Sequence, residues 1–367
     1  MGTGMTMLFA EKFKLVDAIL SKNGTYIDLK TLGDYKEQYH YRNKSVYTFN
    51  LDNFKLDQGS FDIVDLDHSK IIQYINLVTN RDLISFNLNY GIKDIFIKHN
   101  YCREFQLSLC LYVKDGLRDY RSKIVSYMFD LVKKLIVDLD INITCCYYHI
   151  YDKHVALKDR EMFLLFGNLR LEERLVLAND SSNAIIKVWI RPHSFSRVNY
   201  DNSQLVYQQV HQFSRLEENL ILFGRDVYLP LKMLFSGEGV KTISAFTHCP
   251  ITYGDIEGDM EKGLELSQVT QLVKKKEYPE TIAGYFRAKA QKFAVILTAS
   301  QQGLGQIMCQ MLLDFRDQIS KILYISCNRD RLEGDLSILT TRYQLEKAYV
   351  SNEFSLTQYN NTILELC

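Results

Sequence analysis

The sequence has few prolines and no long apolar segment. Only 4 of its 367 residues are proline, while 47% are hydrophobic and 24% are charged, a balance typical of compact globular proteins. No run of about 18 uninterrupted apolar residues occurs, which argues against a membrane-spanning helix. The first twenty residues lack a basic segment followed by an apolar stretch and a cleavage site, so we expect no secretory signal and a cytoplasmic protein.

Paired cysteines are also absent. The eight cysteines form no Cys-x-x-Cys pair and follow no regular spacing. This pattern is typical of free thiols in a reducing compartment, and it predicts neither a zinc site nor an iron–sulfur cluster.

The chain has no excess of either charge, since Lys+Arg and Asp+Glu both total 44. Binding to nucleic acid would therefore depend on a local basic patch. The candidate patches are Arg42 with Lys44, Lys133 with Lys134, and Lys274 to Lys276. Each is equally typical of a solvated surface.

The two halves of the chain differ in pattern. Residues 39–113 contain short alternating apolar segments, which predict strands, and residues 117–139 have the apolar spacing of an amphipathic helix. After Pro192, a helix over "NSQLVYQQVHQFSRLEENLILFG" is followed by alternating strands and helices, with strands at "LKMLFSG", "PITYGDI", "FAVILTAS" and "KILYISC". We therefore predict an α/β protein, with a strand-rich α+β domain over residues 1–195 and a parallel, doubly wound domain over residues 196–367.

Ligands of such sheets bind beyond the carboxyl ends of the strands. Gly237 and Gly239 follow the predicted strand "LKMLFSG" and would let the backbone approach a ligand, although a plain turn has the same pattern. Asp255 or Glu257 ends the next predicted strand and is placed to bind ribose hydroxyls. The alternative for this acid is a helix N-terminal residue favoured by the helix dipole.

Cys327 ends the fifth predicted strand of the second domain, between Ser326 and Asn328. A buried structural cysteine is the common interpretation of a lone thiol. A thiol at the carboxyl end of a strand, beside polar residues, is also in the position of a nucleophile.

Several segments resemble the S-adenosylmethionine-dependent RNA (uracil-5-)-methyltransferases. "KILYISCN" is similar to Tyr-Val-Ser-Cys-Asn-Pro of that family, and residues 343–366 to its Asp-Met-Phe-Pro-His-Thr-x-His-Val-Glu stretch and final strand. Upstream, "YHYRNK", "DIVDLDHS" and "IRPHSFSRVN" are similar to Tyr-Arg-Asn-Lys, Val-Asp-Ile-Asp-x-Cys-Pro and Ile-Ser-Pro-x-Ser-Phe-Phe-Gln-Val-Asn. The segments keep the family's order over residues 39–366, and the length resembles that of the shorter, tRNA-acting members.

The resemblance implies a Rossmann-like class I methyltransferase sheet, S-adenosylmethionine as cofactor and tRNA as partner. Cys327 would add to C6 of a flipped-out uracil, C5 would take the methyl group, and a glutamate would then remove the C5 proton. It also assigns binding roles by position. Phe235, Gly237, Gly239 and Asp255 would bind the cofactor, and Arg42, Lys44 and Gln301 would bind RNA through a largely N-terminal surface.

The sequence departs from the family pattern at the site itself. Val240 replaces an Asn of the cofactor loop, and Arg197 replaces a Gln. The family's Asp-Pro-Pro-Arg becomes "TASQ", so Thr298 and Gln301 replace the acid and the Arg. Asn361 stands where the family has its proton-abstracting Glu, and an amide cannot act as a general base. A cationic Arg197 is also expected to repel a sulfonium.

Two functions therefore stay open. The first is a uracil-C5 RNA methyltransferase in which another acid, such as Glu353 or Asp255, assists Cys327. The second is a catalytically inactive relative, a pseudoenzyme, that binds RNA as a chaperone, an assembly factor or a complex subunit.

Overall fold

The computed structural model describes most of the chain. The residues that it does not describe are 1–2, 23–28, 33–40, 51–54, 57–63, 83–89, 114–120, 156–160, 179–182, 216, 236–239, 261–269, 300, 355–358 and 360.

The strands and helices are numbered in chain order. The strands are β1 Leu29–Leu32, β2 Lys44–Asn50, β3 Lys55–Leu56, β4 Tyr90–His99, β5 Phe105–Val113, β6 Ile143–Ile150, β7 Phe163–Gly167, β8 Leu171–Ala178, β9 Asn183–Ile190, β10 Asn219–Gly224, β11 Thr242–Thr247, β12 Thr270–Leu272, β13 Phe293–Thr298, β14 Ile319–Ser326, β15 Leu345–Ser351 and β16 Asn361–Leu366. The α-helices are α1 Thr3–Lys22, α2 Leu66–Asp82, α3 Arg121–Leu139, α4 Tyr200–Ser214, α5 Tyr228–Phe235, α6 Pro250–Met260, α7 Tyr278–Ala288, α8 Gln306–Asp314 and α9 Arg329–Leu339.

The chain divides into two compact units. The first contains Met1–Gln38, Leu175–Val188 and Phe195–Cys367, and the second contains Tyr39–Arg174 and Trp189–Ser194. The chain therefore passes between the units at several points, one of which lies at residues 194–195. The N-terminal residues 1–38, predicted as part of the strand-rich domain, belong to the first unit.

The first unit is built on an eight-stranded sheet in the order β1-β15-β16-β14-β13-β10-β11-β12. All neighbouring strands are parallel except β16, which runs antiparallel to both β14 and β15. The chain proceeds outwards from β10 to β12 and then returns to β13 on the other side of β10. This topology confirms the predicted Rossmann-like α/β sheet, and its switch point lies between β10 and β13.

Strand register brings the carboxyl ends of three strands together. Gly224 at the end of β10 pairs with Thr298 at the end of β13, and Thr298 pairs with Ile325 near the end of β14. These ends are therefore neighbours at one edge of the sheet, where the preceding residues are buried and apolar.

The second unit contains a six-stranded sheet in the order β3-β2-β4-β5-β6-β7. Its helix α3 confirms the amphipathic helix predicted from the sequence, because Ile124, Met128, Leu131 and Leu135 are all buried. Strands β2, β4, β5 and β6 overlap predicted strands.

Three element predictions in the first unit are wrong. "NLILFG" was included in a predicted helix but forms β10, the strand at the switch point. "LKMLFSG" and "PITYGDI" were predicted as strands, whereas their described residues belong to helices α5 and α6. A short apolar run does not distinguish a buried strand from a buried helix. Pro250 at the first position of α6 is a helix-start signal that favours the observed structure.

Candidate functional site

Cys327 directly follows β14, the fifth strand in the series that begins with β10. Its position at the carboxyl end of a strand, predicted from the sequence, is confirmed, and the residue is half-buried. The next residue, Asn328, caps helix α9 by accepting a hydrogen bond from the backbone N–H of Asp330 at 3.0 Å. The Asn328 amide also donates to the carbonyl oxygen of Gln301. The segment around the thiol is thereby tied to the loop that follows β13.

A buried arginine lies between two buried carboxylates at this edge of the sheet. Arg197 Nε donates to Asp226 Oδ2, and Arg197 Nη1 donates to Glu353 Oε2, both at 2.8 Å. The three side chains are 7%, 5% and 1% exposed, respectively. Asp226 follows β10 and Glu353 follows β15, so the cluster takes residues that follow strands on either side of β14. We call these three residues the Arg197 cluster.

Two neutral residues complete the hydrogen bonds of the cluster. The hydroxyl group of Tyr207, on α4, donates to Asp226 Oδ1 at 2.9 Å. The amide of Asn361, the first residue of β16, donates to Glu353 Oε2. The carboxylates are therefore both fixed in position by partners from other elements.

The cluster carries one positive and two negative formal charges. Burial lowers the pKa of Arg197, but the charges of Glu353 and Asp226 outweigh burial and raise it above its ordinary value. Burial raises the pKa of Glu353, and Arg197 partly offsets that shift. The sequence-based expectation that Arg197 repels a sulfonium did not take these two carboxylates into account, and it stays a prediction. Two carboxylates neutralise the guanidinium and leave the cluster with a net charge of −1 when both are ionised.

The thiol of Cys327 responds to the same charges. Burial raises its pKa, the charge of Arg197 lowers it, and the charge of Glu353 raises it again. Ser326, which precedes Cys327, pairs with Thr362, which follows Asn361 on β16. Because this register brings the thiol to the same end of the sheet as Asn361 and its partner Glu353, we treat Cys327 and the Arg197 cluster as one candidate site.

The close approach of β10 and β13 requires a glycine at position 224. Gly224 has φ +134°, and a Cβ atom there would lie 2.2 Å from Thr298 Oγ1 and 2.4 Å from the Thr298 carbonyl oxygen. Thr298, a predicted cofactor residue, thus lies at the switch point. Arg225, Asp226 and Val227 follow Gly224 and lead into α5.

Asp335, on α9, fixes the chain beyond Gln301. Its carboxylate accepts hydrogen bonds from the backbone N–H of Leu304 at 2.8 Å, from that of Gly305 at 3.0 Å, and from the Tyr324 hydroxyl group at 2.6 Å. The loop after β13 is therefore anchored to the helix after β14.

The other predicted cofactor residues either lie in elements other than those predicted or fall outside the described residues. Phe235 ends helix α5 and Val240 precedes β11, so neither follows the carboxyl end of a strand as predicted. Gly237 and Gly239 lie outside the described residues. Asp255 lies inside α6 with 0% exposure, which contradicts its prediction as a strand-end acid. The residues that do follow β11 are His248 and Cys249.

Sequence reasoning missed Asp226 and Tyr207. The signal for Asp226 was present, because an acid two residues after the apolar run "NLILFG" is typical of a strand end in an α/β sheet. Because "NLILFG" was wrongly predicted to be helical, Asp226 was not recognised as a strand-end residue.

The predicted RNA-binding pair lies in the second unit. Arg42 Nε donates to the Lys44 carbonyl oxygen at 2.9 Å, and Lys44 Nζ lies 5.5 Å from the ring centre of Phe96. Both basic residues are half-exposed, so their RNA-binding role stays a prediction.

The second unit also contains a polar cluster of its own, formed by Asp65, His68 and His99, whose side-chain atoms could ligate a metal ion. However, Arg103 Nη1 donates to Asp65 Oδ2 at 2.6 Å and lies 3.2 Å from His99 Nε2. An arginine can only donate, so His99 Nε2 is an acceptor. The proton of His99 is therefore on Nδ1, which donates to His68 Nε2. His68 in turn carries its proton on Nδ1, which donates to Ser45. All four ring nitrogens are thereby satisfied beside a fixed cation, and we assign no metal here.

The chain is similar to several curated proteins, although no family model matches it. It is 21% identical over 322 residues to an uncharacterised RNA methyltransferase of Staphylococcus aureus, with 84% of this chain and 64% of that protein covered. It is 22% identical over 343 residues to one of Staphylococcus epidermidis, with 89% and 71% covered. For one of Listeria monocytogenes, the identity is 26% over 216 residues, with 56% and 42% covered. The chain thus spans less than two thirds of the Staphylococcus aureus and Listeria proteins.

A solved structure has the same fold. The crystal structure of the Pyrococcus abyssi tRNA (uracil-54, C5)-methyltransferase in complex with S-adenosyl-L-homocysteine superposes with a TM-score of 0.61 at 14% identity, covering 98% of this chain and 83% of that chain. Together with the curated relatives, this similarity confirms the resemblance predicted from the sequence. Among the described residues, the helices lack the length and apolar character needed to cross a membrane.

Proposed function

We propose that this protein methylates RNA with S-adenosylmethionine, and that its target is C5 of a uridine in tRNA, attacked through Cys327. The observation that carries the proposal is the position of Cys327 at the carboxyl end of β14, where the preceding residue Ser326 pairs with Thr362, next to Asn361, a hydrogen-bond partner of the Arg197 cluster. The RNA methyltransferases among the relatives support the reaction class.

The charge of the cluster fits the cofactor. S-adenosylmethionine carries a positively charged sulfonium and an ammonium group, and the cluster holds one more carboxylate than its guanidinium neutralises. Asp226 and Glu353 are therefore the residues that would attract the positive part of the cofactor. Beyond β11, His248 would supply a polar group for the ribose in place of the predicted acid. When bound, the cofactor supplies an electrophilic methyl group.

The chain's own residues perform the remaining chemistry. The Cys327 thiol must lose its proton before it can attack C6 of uracil. Burial raises the pKa of the thiol, and the positive charge of Arg197 partly offsets that effect. A uracil inside a folded RNA would have to be flipped out of its stack to reach the thiol.

Two measurements test the proposal. Calorimetric titration with S-adenosylmethionine is expected to show binding. The absence of detectable binding, by heat or by competition, would contradict the cofactor assignment. Incubation with 5-fluorouridine-containing tRNA transcripts is expected to give a covalent adduct that resists denaturation. Cys327→Ala should abolish the adduct, whereas Cys102→Ala, at an exposed cysteine, should leave it unchanged.

A second candidate is an RNA-binding protein that does not methylate. The observation that favours it is the identity of residue 361, an asparagine at the position of the family's general base. RNA binding without any cofactor binding would select this function.

A further inference from the structure

We infer that Glu353 is the general base of this site and removes the C5 proton that Asn361 cannot accept. The inference rests on the proposed function and identifies a catalytic residue for it.

The reaction needs one base after methyl transfer. The sulfur of Cys327 forms a bond to C6, and the electron pair of the C5=C6 bond takes the methyl group at C5 as the donor's sulfur–carbon bond breaks. The base then takes the proton from C5, the C5=C6 bond forms again, and the C6–sulfur bond breaks, which returns the electron pair to Cys327. The products are a 5-methyluracil and a protonated base, which passes its proton to water.

The geometry leaves Glu353 as the carboxylate suited to this step. Asn361 donates its amide hydrogen to Glu353 Oε2, so the residue at the expected base position orients a carboxylate that comes from β15 instead. Strand register brings Glu353 to the same end of the sheet as the nucleophile, because Ser326, which precedes Cys327, pairs with Thr362, the neighbour of the Glu353 partner Asn361.

The neighbouring acids are less suited to accept a proton. Asp226 is held by Arg197 on one oxygen and by the Tyr207 hydroxyl group on the other. Asp335 accepts hydrogen bonds on both oxygens, from Gly305 on Oδ1 and from Leu304 and Tyr324 on Oδ2. Arg197 and Asn361, the side-chain donors to Glu353, both bind its Oε2. Asp255 lies inside α6.

The composition of the cluster also keeps the free-energy cost of protonating Glu353 low. When Glu353 takes a proton, Arg197 keeps its ion pair with Asp226, so no buried charge is left without a partner. The net charge of the cluster changes from −1 to 0. Burial strengthens Glu353 as a base because it disfavours the ionised form, as in other buried catalytic carboxylates.

The test uses the full chain, unmodified tRNA transcripts and S-adenosylmethionine with a radiolabelled methyl group. Glu353→Gln preserves the shape of the side chain and should slow turnover by about 10²- to 10⁴-fold. Addition and methyl transfer precede the proton removal, so this variant should accumulate a labelled protein–RNA adduct on ordinary uridine. Glu346→Gln, at an exposed residue of β15, the strand that precedes Glu353, should do neither.

Further variants guard against a loss of folding. Glu353→Asp keeps the charge beside Arg197 but withdraws the carboxylate by one methylene, and it should slow turnover by at least about tenfold. The double variant Glu353→Gln, Asn361→Glu returns a carboxylate to β16 and should recover part of the activity. Recovery in that variant is not expected if Glu353 only stabilises the fold.

The outcomes separate the two proposals. Turnover of Glu353→Gln within a few-fold of wild type, or slow turnover without an adduct, would overturn the inference and leave the proposed function standing. A wild-type protein that forms no product and no 5-fluorouridine adduct overturns the proposed function, and the inference with it.

Discussion

The side-chain amide of Asn361 donates a hydrogen bond to the carboxylate of Glu353, eight positions earlier in the chain. Ser351, at the end of β15, pairs with Asn361 across the antiparallel β15–β16 ladder, and this pairing brings the two residues together. Asn361, an amide, therefore stands where the related family has a glutamate, while Glu353, which follows the neighbouring strand β15, supplies a carboxylate.

Arg197→Met is expected to destabilise the first unit strongly. The change would leave Asp226 and Glu353 buried without their cation, and breaking a buried pair in this way typically costs about 3–5 kcal/mol. Urea denaturation measures the loss. Lys241→Met, which removes an exposed ion pair with Glu218, should cost less than about 1 kcal/mol. Equal effects of the two changes would contradict the buried character of the cluster.

Gly224→Ala is expected to disrupt the junction of β10 and β13. The new Cβ atom would overlap the backbone and side chain of Thr298, and φ +134° disfavours any L side chain. Strain and overpacking together predict a loss of about 2–5 kcal/mol. The control is Gly284→Ala, at an exposed glycine of α7 with open space around its Cα, which should stabilise the protein by about 0.5–1 kcal/mol. A tolerated Gly224→Ala would show that the two strand ends lie further apart.

Stability is expected to fall as the pH is lowered from neutral. Burial lowers the pKa of His68 from 6.5 to about 3 and that of His99 to about 4. Between these values and 6.5 the unfolded chain binds protons that the native protein does not, so the stabilisation is complete above about pH 6.5 and decreases towards pH 4. Each histidine contributes a slope of up to about 1.4 kcal/mol per pH unit.

Chemical denaturation at pH 7, 6 and 5 measures this slope. His99→Gln should reduce it, whereas His154→Gln, at an exposed histidine, should leave it as in wild type. An unchanged slope in His99→Gln would show that the pair does not stay neutral in the native protein.

Asp335→Asn is expected to loosen the loop that follows β13. The amide keeps the size of the carboxylate but loses its charge and one acceptor oxygen, and hydrogen bonds to charged groups contribute about 1.5–3 kcal/mol each. We expect a loss of about 2–4 kcal/mol in thermal or chemical denaturation. Asp314→Asn, at an exposed residue of α8, serves as the matched control. Faster hydrogen exchange at Leu304 and Gly305 in Asp335→Asn would locate the change.

The sequence predicted the parts of the site that depend on local patterns. The apolar run before Cys327 predicted a strand that ends at this residue, and the structure has this strand as β14. The strand β10 was missed because a strand buried on both faces lacks the alternation that marks a half-buried one.

The Arg197 cluster could not be predicted in the same way. Arg197 is 29 positions from Asp226 and 156 positions from Glu353, and neither spacing corresponds to a periodicity of helix or strand. The charges that meet are determined only by the sheet order, in which β15 and β16 lie on one side of β14 and β13 and β10 lie on the other. For that reason the residue substitutions looked like losses in the sequence, whereas in the structure two of the substituted residues, Arg197 and Asn361, both donate hydrogen bonds to Glu353.

The long sequence separations within the Arg197 cluster also have a kinetic consequence. Contacts between residues 156 positions apart carry a large loop-closure entropy and form only when most of the sheet has assembled. Substitutions in the cluster should therefore accelerate unfolding more than they slow folding. The part of the molecule that we expect to carry its chemistry is thus among the last to form and, once formed, delays the opening of the sheet.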